Sequence, residues 1–424
     1  MKTMYENSIE SSSALGASAP THSGMVRRDT LGLIAGGFAA GLIRPSPALA
    51  APAPTWPGTA WVSMSPTAAG FDSTKFISAV NYAKSKGGSG FVSRYGYQIG
   101  AWGSATQKYK IYSATKSIGS LLISLGLTKG LVQLEDTALS RLNPEFAVPP
   151  DANATAGPGW RDQITLQDLL DHRAGFLKPG GFEPLVYTPK SYYLYSDGGT
   201  NWLADIMTVA FKADLQEVFR QNITAKIGIP NAEWYFRSNT YRPTTIRGLQ
   251  RREFGSGLYI TARSFARIGL MLLRNGQWKG GTQLVSAEYL SQARQSRPEL
   301  ANTLNFDTKA QTDALVHYNR LFWNNTDGIA PNLPRDVFFA WGLNSNHVFI
   351  VPSLDLVVVR IGTAGLGNGG YGSVNTLLGN FIKAVVPSTP TQTSLVARAD
   401  VPEEKLTREQ RRRLRERPFR SEDE

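Results

Sequence analysis

Ser113 and Lys116 stand three residues apart at the head of an apolar run, Ile118 to Leu127, that reads as a buried helix. Residues i and i+3 share a helical face, so the amine can reach the hydroxyl. A serine is a weak nucleophile until something takes its proton, and a lysine in a desolvated pocket can have its pKa lowered enough to do so. At a helix N-terminus, the dipole and the serine's own N–H would also favour an oxyanion formed when Ser113 attacks a carbonyl. The bland alternative is a surface lysine beside a capping serine. A charge on so apolar a helix calls for a partner, which argues against it, and Ser-x-x-Lys occurs nowhere else in the chain.

Other chemistries lack their residues. The 424-residue chain has no cysteine, which excludes disulfides, thiolate catalysis and cysteine-ligated zinc or iron–sulfur sites. His22, His172, His317 and His347 are scattered, with no i, i+4 pair to face a metal, so neither a metal nor another cofactor is expected. The Gly-x-Ser-x-Gly elbow of an α/β-hydrolase is missing. A net charge of +12 invites a nucleic-acid reading, but no basic stretch between residues 51 and 385 alternates with aromatics, and no nucleic-acid partner is expected.

The elements that must position the serine and lysine follow from periodicity. Ser73 to Lys86 carries Phe76, Ile77, Val80 and Ala83 at helical spacing, with Ser73 as its expected N-cap. Residues 90–100 read as strands interrupted by glycine, and Ser113 to Leu131 as the nucleophile helix. Short helices and loops run to about residue 250, followed by an amphipathic helix from Thr261 to Asn275. Val337 to Ile361 reads as two strands joined by Pro352–Asp355, and Gly372 to Val385 as the closing helix. This order predicts an α+β fold: an antiparallel sheet flanked by terminal helices, with a mainly helical subdomain inserted at about 125–255 and the site between the two parts. The domain is expected to span 51–386.

The ends read differently. Residues 1–24 look like an upstream extension. Residues 25–50 carry Arg27-Arg28, the apolar run Leu31 to Ile43 and Ala48-Leu49-Ala50, the charged, apolar and cleavage regions of a signal peptide in order. Paired arginines suggest the twin-arginine route. The apolar run is too short to span a bilayer, which takes about 20 residues, so cleavage near Ala50 and a periplasmic or extracellular protein without a stable membrane anchor are expected. Residues 387–424 form a charged tail in which basic and acidic residues nearly balance, expected to be disordered.

Five segments resemble, in order, the landmarks of class C β-lactamase-related serine hydrolases: Ser113-x-x-Lys116, Gly130 to Asp136, Asp168 to Phe176, Tyr195-Ser196-Asp197 and Gly257 to Arg267. The resemblance covers about residues 60–385 and implies a β-lactamase/transpeptidase-like fold. It implies Ser113 as acylated nucleophile, Lys116 as its activator and Tyr195 as proton shuttle. Asp197 takes the place of the family's usual asparagine, where a carboxylate would hold Lys116 charged and favour Tyr195 as the base. His172 resembles the family's structural histidine, and Asp136 and Asp171 read as loop pins or caps.

The family's third motif, a lysine or histidine followed by a hydroxyl residue and glycine, corresponds here to Ala340-Trp341-Gly342. Gly342 would permit close approach of substrate, and the N–H of Leu343 would complete an oxyanion hole with that of Ser113. Asn344, Ser345 and His347 would offer polar contacts, and Trp341, Tyr187, Tyr192 and Tyr193 apolar area. An apolar residue in place of the cation is similar to the aminohexanoate-oligomer hydrolase branch, which implies cleavage of small esters or amides. The alternative is a β-lactamase or D-amino-acid-specific cell-wall peptidase, although a β-lactam or peptide carboxylate ordinarily needs that cation. A non-catalytic binding relative is disfavoured because three roles of one mechanism occur together. Oligomeric state is not legible in the sequence.

Overall fold

The computed structural model describes residues 51–147, 159–300, 304–305, 316–366 and 370–386. The chain separates into Met1–Ala48 and Leu49–Glu424, and every described residue belongs to the second unit. The expected extension at 1–24, signal peptide at 25–50 and tail at 387–424 lie outside the described residues.

The organising element is a seven-stranded antiparallel sheet. Strands β1 (Ser89–Arg94) and β2 (Tyr97–Trp102) make a hairpin near the N-terminus. The other five come from the C-terminal third: β3 (Tyr318–Asn319), β4 (Phe322–Asn324), β5 (Phe338–Gly342), β6 (Asn346–Val351) and β7 (Leu356–Ile361). Their spatial order is β3-β4-β5-β6-β7-β1-β2. Ser89 stands opposite Ile361 and Arg94 opposite Leu356, so the two ends of the domain close one sheet. The unbroken run Leu356-Val-Val-Val is apolar on both faces because both are covered.

Helix α1 (Ser73–Lys84) packs against α5 (Gly370–Ile382), the two terminal helices, and α4 (Ala262–Leu273) lies on β1, β6 and β7. The α4 contact is close: a β-carbon on Gly269 would stand 2.6 Å from Val357 Cγ1. The cap of α1 is Asp72, not Ser73; its carboxylate accepts from the N–H of Lys75 at 2.9 Å, a stronger interaction than a hydroxyl makes. Between α2 (Ala114–Thr128) and α4 lies the mainly helical insert, whose principal helix is α3 (Asp197–Phe211). Helix α2 contacts β5 on one side and α3 on the other, so its first turn opens at the seam between sheet and insert.

Val337 to Ile361 holds three strands where periodicity predicts two. Leu343–Ser345 is a turn in which Asn344 and Ser345 both take left-handed backbone, at φ 61° and 57°. Neither glycine nor proline marks it internally, so the strand break left little signal.

Candidate active site

Ser113 is the residue before the first full turn of α2, yet its hydroxyl makes no capping hydrogen bond. Its Oγ instead accepts from Lys116 Nζ at 2.9 Å. Lys116 is fully enclosed, and its other acceptors are the Gly255 carbonyl at 2.8 Å and the Asp197 carboxylate, at the head of α3. The partner that a buried ammonium requires is therefore Asp197. The residue before the serine, Tyr112, has φ 48°, a sparsely populated conformation that typically costs about 1–3 kcal/mol and clusters at functional sites.

Asp197 is shared. Its second oxygen lies 2.6 Å from the ammonium of Lys178, which approaches from the loop before α3 with a side chain 33% exposed. That loop is stitched to Asp197: its N–H donates to Lys178 O at 2.8 Å, and Ser196 Oγ donates to Leu177 O at 2.6 Å. Helix α3 is fixed in turn by Asp205, fully buried between Arg242 at 2.9 Å and Arg251 at 3.1 Å.

Tyr195 is buried beside this cluster. Its ring centroid lies 4.8 Å from Lys116 Nζ and 5.6 Å from Lys178 Nζ. His172 packs on the ring at 4.6 Å, and its Nδ1 accepts from Ser196 N at 3.1 Å. Burial first, then the Lys116 charge, depress the His172 imidazole to about 3, so it is neutral and braces the tyrosine. Tyr318 shares a hydrogen bond with Tyr195, and burial pushes its own phenol well above the usual range. Aromatic contacts continue from Tyr195 to Trp323 at 6.3 Å and from Trp323 to Trp341 at 4.9 Å, which places Trp341, half-buried, at the end of an apolar wall. The Tyr187 and Tyr192 rings pack tilted against each other, centroids 4.6 Å apart, whereas Tyr193 is buried in the core. Asp136 accepts from Gln133 N at 2.6 Å and pairs with Arg141; Asp171 takes both arms of Arg297 at 2.7 and 3.1 Å. Both are loop pins.

The edge of β5 meets the nucleophile through Gly342. A β-carbon there would lie 1.9 Å from Ile111 O and 3.0 Å from Ala114 N. The missing side chain thus makes room for the protein's own backbone ahead of Ser113, not for substrate. Directly after it Leu343 is 46% exposed, and the turn it opens is held from behind. Arg360, on β7 and fully enclosed, donates to Asn344 O, to Ala364 O at 2.6 Å and to Ser345 O at 3.4 Å, while Asn346 Nδ2 donates to Leu343 O at 2.6 Å. Burial holds the Arg360 guanidinium down to about 10. His347 offers no contact to a ligand: it stands opposite Arg360 in the sheet, is fully buried against Phe349 at 4.7 Å, and is depressed to about 3 by burial and by Arg360. Among the described residues no cluster of His, Asp or Glu could hold a metal ion.

A serine that receives a hydrogen bond from an enclosed lysine one turn along, with a tyrosine ring over that lysine, is an arrangement able to carry acyl transfer. The beta-lactamase family model matches residues 82–376. The chain belongs to the beta-lactamase family. It is a serine hydrolase of that family, with the family's β-lactamase/transpeptidase-like fold. Solved structures share that fold at low identity. One is described as a 6-aminohexanoate-dimer hydrolase from Bacillus anthracis, 16% identical, with TM-score 0.51 over 70% of this chain and 80% of that one. Unliganded simvastatin synthase from Aspergillus terreus is 16% identical, with TM-score 0.54 over 73% and 96%. A family VIII carboxylesterase is 15% identical, with TM-score 0.51 over 73% and 96%. Among curated proteins no relative matches the sequence.

Three residues of the site escape a sequence reading: Lys178, Tyr318 and Arg360. Lys178 and Tyr318 sit in segments without periodicity, and Arg360 interrupts an apolar strand, the one signal that could have marked a buried charge in need of acceptors.

Proposed function

We propose that the protein cleaves small, uncharged esters or amides through an acyl-Ser113 intermediate. The reading is carried by the 2.9 Å hydrogen bond between Lys116 Nζ and Ser113 Oγ, made by a serine that caps nothing. As Ser113 Oγ bonds the carbonyl carbon, its proton passes to the Lys116–Tyr195 pair. Tyr195, against the same lysine, relays that proton to the leaving oxygen or nitrogen as the C–O or C–N bond breaks. Water then takes the place of the leaving group and releases the acid. The N–H groups of Ser113 and Leu343 hold the developing oxyanion; Gly342 sets the approach of the two segments. Trp341 and Asn344 flank the acyl group, and Asp197 acts through Lys116.

The absence of a cation at Ala340 supports uncharged substrates over β-lactams and D-amino-acid peptides. Export through the twin-arginine route, with cleavage near Ala50, fits Arg27-Arg28 and Ala48-Leu49-Ala50, and no helix of the described residues is long and apolar enough to cross a membrane. The test of the reaction is labelling with a fluorophosphonate followed by intact mass and peptide mapping. One adduct on Ser113, abolished in Ser113→Ala, is expected; an adduct elsewhere, or none, overturns the reading.

A further inference from the structure

We infer that Asn201 is a positioning residue for acylation: it fixes Gly255, whose carbonyl in turn holds Lys116 Nζ against Ser113. The inference rests on the acyl-Ser113 reading and extends it to residues outside the five segments that carry the resemblance.

Asn201 is the fifth residue of α3 and is fully enclosed. Asparagine suits that place poorly, because inside a helix its side chain competes for backbone hydrogen bonds, and a buried amide without partners costs stability. Here the amide spans two segments distant in sequence. Its Nδ2 donates to Gly180 O at 2.9 Å, and its Oδ1 accepts from Gly255 N at 3.1 Å. A carbonyl can only accept and an N–H can only donate, so these partners fix which end of the amide faces which segment.

Gly255 carries the effect to the nucleophile. Its carbonyl accepts from Lys116 Nζ at 2.8 Å, and the same nitrogen donates to Ser113 Oγ at 2.9 Å. Asn201, Gly255, Lys116 and Ser113 thus form one hydrogen-bonded chain from α3 to the head of α2. A β-carbon on Gly255 would stand 3.1 Å from Asp197 Cβ and 3.6 Å from Asn201 Oδ1, so the bare backbone is what lets this segment lie on the first turns of α3. Its neighbours are anchored elsewhere: Glu253 to Arg237 at 2.6 Å, and Leu258 N to Thr115 Oγ1 at 3.0 Å. Between those anchors stands a residue with unusual conformational freedom, and the bond to Asn201 restricts where its carbonyl points.

The loop at the other end of Asn201 has ties of its own. Arg242 donates to Gly181 O and to Gly198 O, each at 2.9 Å, and Asp197 N donates to Lys178 O at 2.8 Å. Losing the bond to Gly180 leaves that loop held, whereas the Gly255 N–H loses the acceptor that orients it.

The experiment is a double-variant cycle on the full chain, pairing Asn201→Leu, which keeps the branched shape and removes the hydrogen bonds, with Lys116→Ala. The readouts are the rate of fluorophosphonate labelling of Ser113, kcat and KM for a p-nitrophenyl ester, and thermal unfolding. With Lys116 present, Asn201→Leu is expected to lower labelling and kcat by about 10- to 100-fold, the effect of misplacing a catalytic group by up to an ångström, with KM changed by less than about twofold. In the Lys116→Ala background the same substitution should change the residual labelling rate by less than about twofold, because the lysine it positions is gone. A loss of the same size in both backgrounds, or one carried by KM, would mean a merely structural role and overturn the inference. If Asn201→Leu does not fold, Gly255→Ala takes its place in the cycle with the same expectations, since its β-carbon would press on Asp197 and move the same carbonyl. No label on Ser113 of the unaltered protein would instead defeat the acyl-serine reading itself.

Discussion

A β-carbon added to Gly342 would stand 1.9 Å from the carbonyl oxygen of Ile111. The last residue of β5 therefore touches the backbone two residues before the nucleophile, and any side chain would drive sheet and helix apart. Overpacking of this kind typically costs about 1–3 kcal/mol, and a shift of about an ångström between catalytic groups can cost about 10²-fold in rate. Gly342→Ala should lose both stability, read by chemical denaturation, and ester turnover. A folded Gly342→Ala protein with full turnover would show that the approach of Leu343 to Ser113 does not matter.

The enclosed lysine and the tyrosine over it lead to a second expectation. Lys116→Ala and Tyr195→Phe should each lower turnover by about 10²- to 10⁴-fold, the range for a positioned proton-transfer group. Ser113→Ala should abolish labelling. Removing Lys116 does not strand Asp197, because Lys178 still pairs with it, so all three variants should fold. Thermal unfolding checks the folding, and steady-state kinetics the rates.

Helix α2 and its Ser113–Lys116 pair were legible because one periodic run of apolar residues fixes both the helix and the face they share. The order of elements was legible for the same reason, and it gave the α+β architecture. What escaped depends on contacts distant in sequence. Lys178 reaches Asp197 across a sequence separation of 19. Gly342 reads as room for a ligand until Ile111 is seen beside it. His347 reads as a polar contact until the register of β5, β6 and β7 buries it. The turn at 343–345 relies on left-handed asparagine and serine, which local propensity does not announce.

Arg360 gives a third prediction. It is buried with backbone carbonyls as its acceptors, two of them in the turn that opens with Leu343. Arg360→Met would leave those carbonyls without a donor, at about 1–3 kcal/mol for each buried group left unsatisfied. We expect lower stability and, at temperatures where the variant is folded, a fall in kcat larger than any change in KM if the turn serves the oxyanion, as proposed, and not the ground state. A change confined to KM would argue that the turn only binds substrate.

Acid should destabilise the protein through two histidines. His172 and His347 are held at about 3 in the folded state against an ordinary 6.5. The unfolded chain therefore binds more protons as pH falls below about 6.5, and stability should decline from there toward about 3; above 6.5 neither group contributes a slope. His347→Phe, whose ring fits beside Phe349, should flatten part of that decline. Unfolding by urea at a series of pH values measures it, and an unchanged slope in the variant would exclude His347.

The proposed preference for uncharged substrates rests on what β5 lacks. Relatives that hold a substrate carboxylate carry a lysine or histidine where this chain has Ala340, and losing such a charge-assisted contact costs about 1.5–3 kcal/mol, or roughly one to two powers of ten in rate. An uncharged ester loses nothing by its absence and gains the apolar wall of Trp323 and Trp341. Short-chain p-nitrophenyl esters should therefore exceed nitrocefin and benzylpenicillin in kcat/KM. Installing a lysine at position 340 is a poor converse test, because Ala340 is fully buried opposite Val348 and an ammonium there would be enclosed without a partner. The better converse is Trp341→Ala, which should lower kcat/KM most for the esters with the longest acyl chains. Efficient penicillin hydrolysis with negligible esterase activity would refute the preference for uncharged substrates and favour the β-lactamase or cell-wall peptidase alternative.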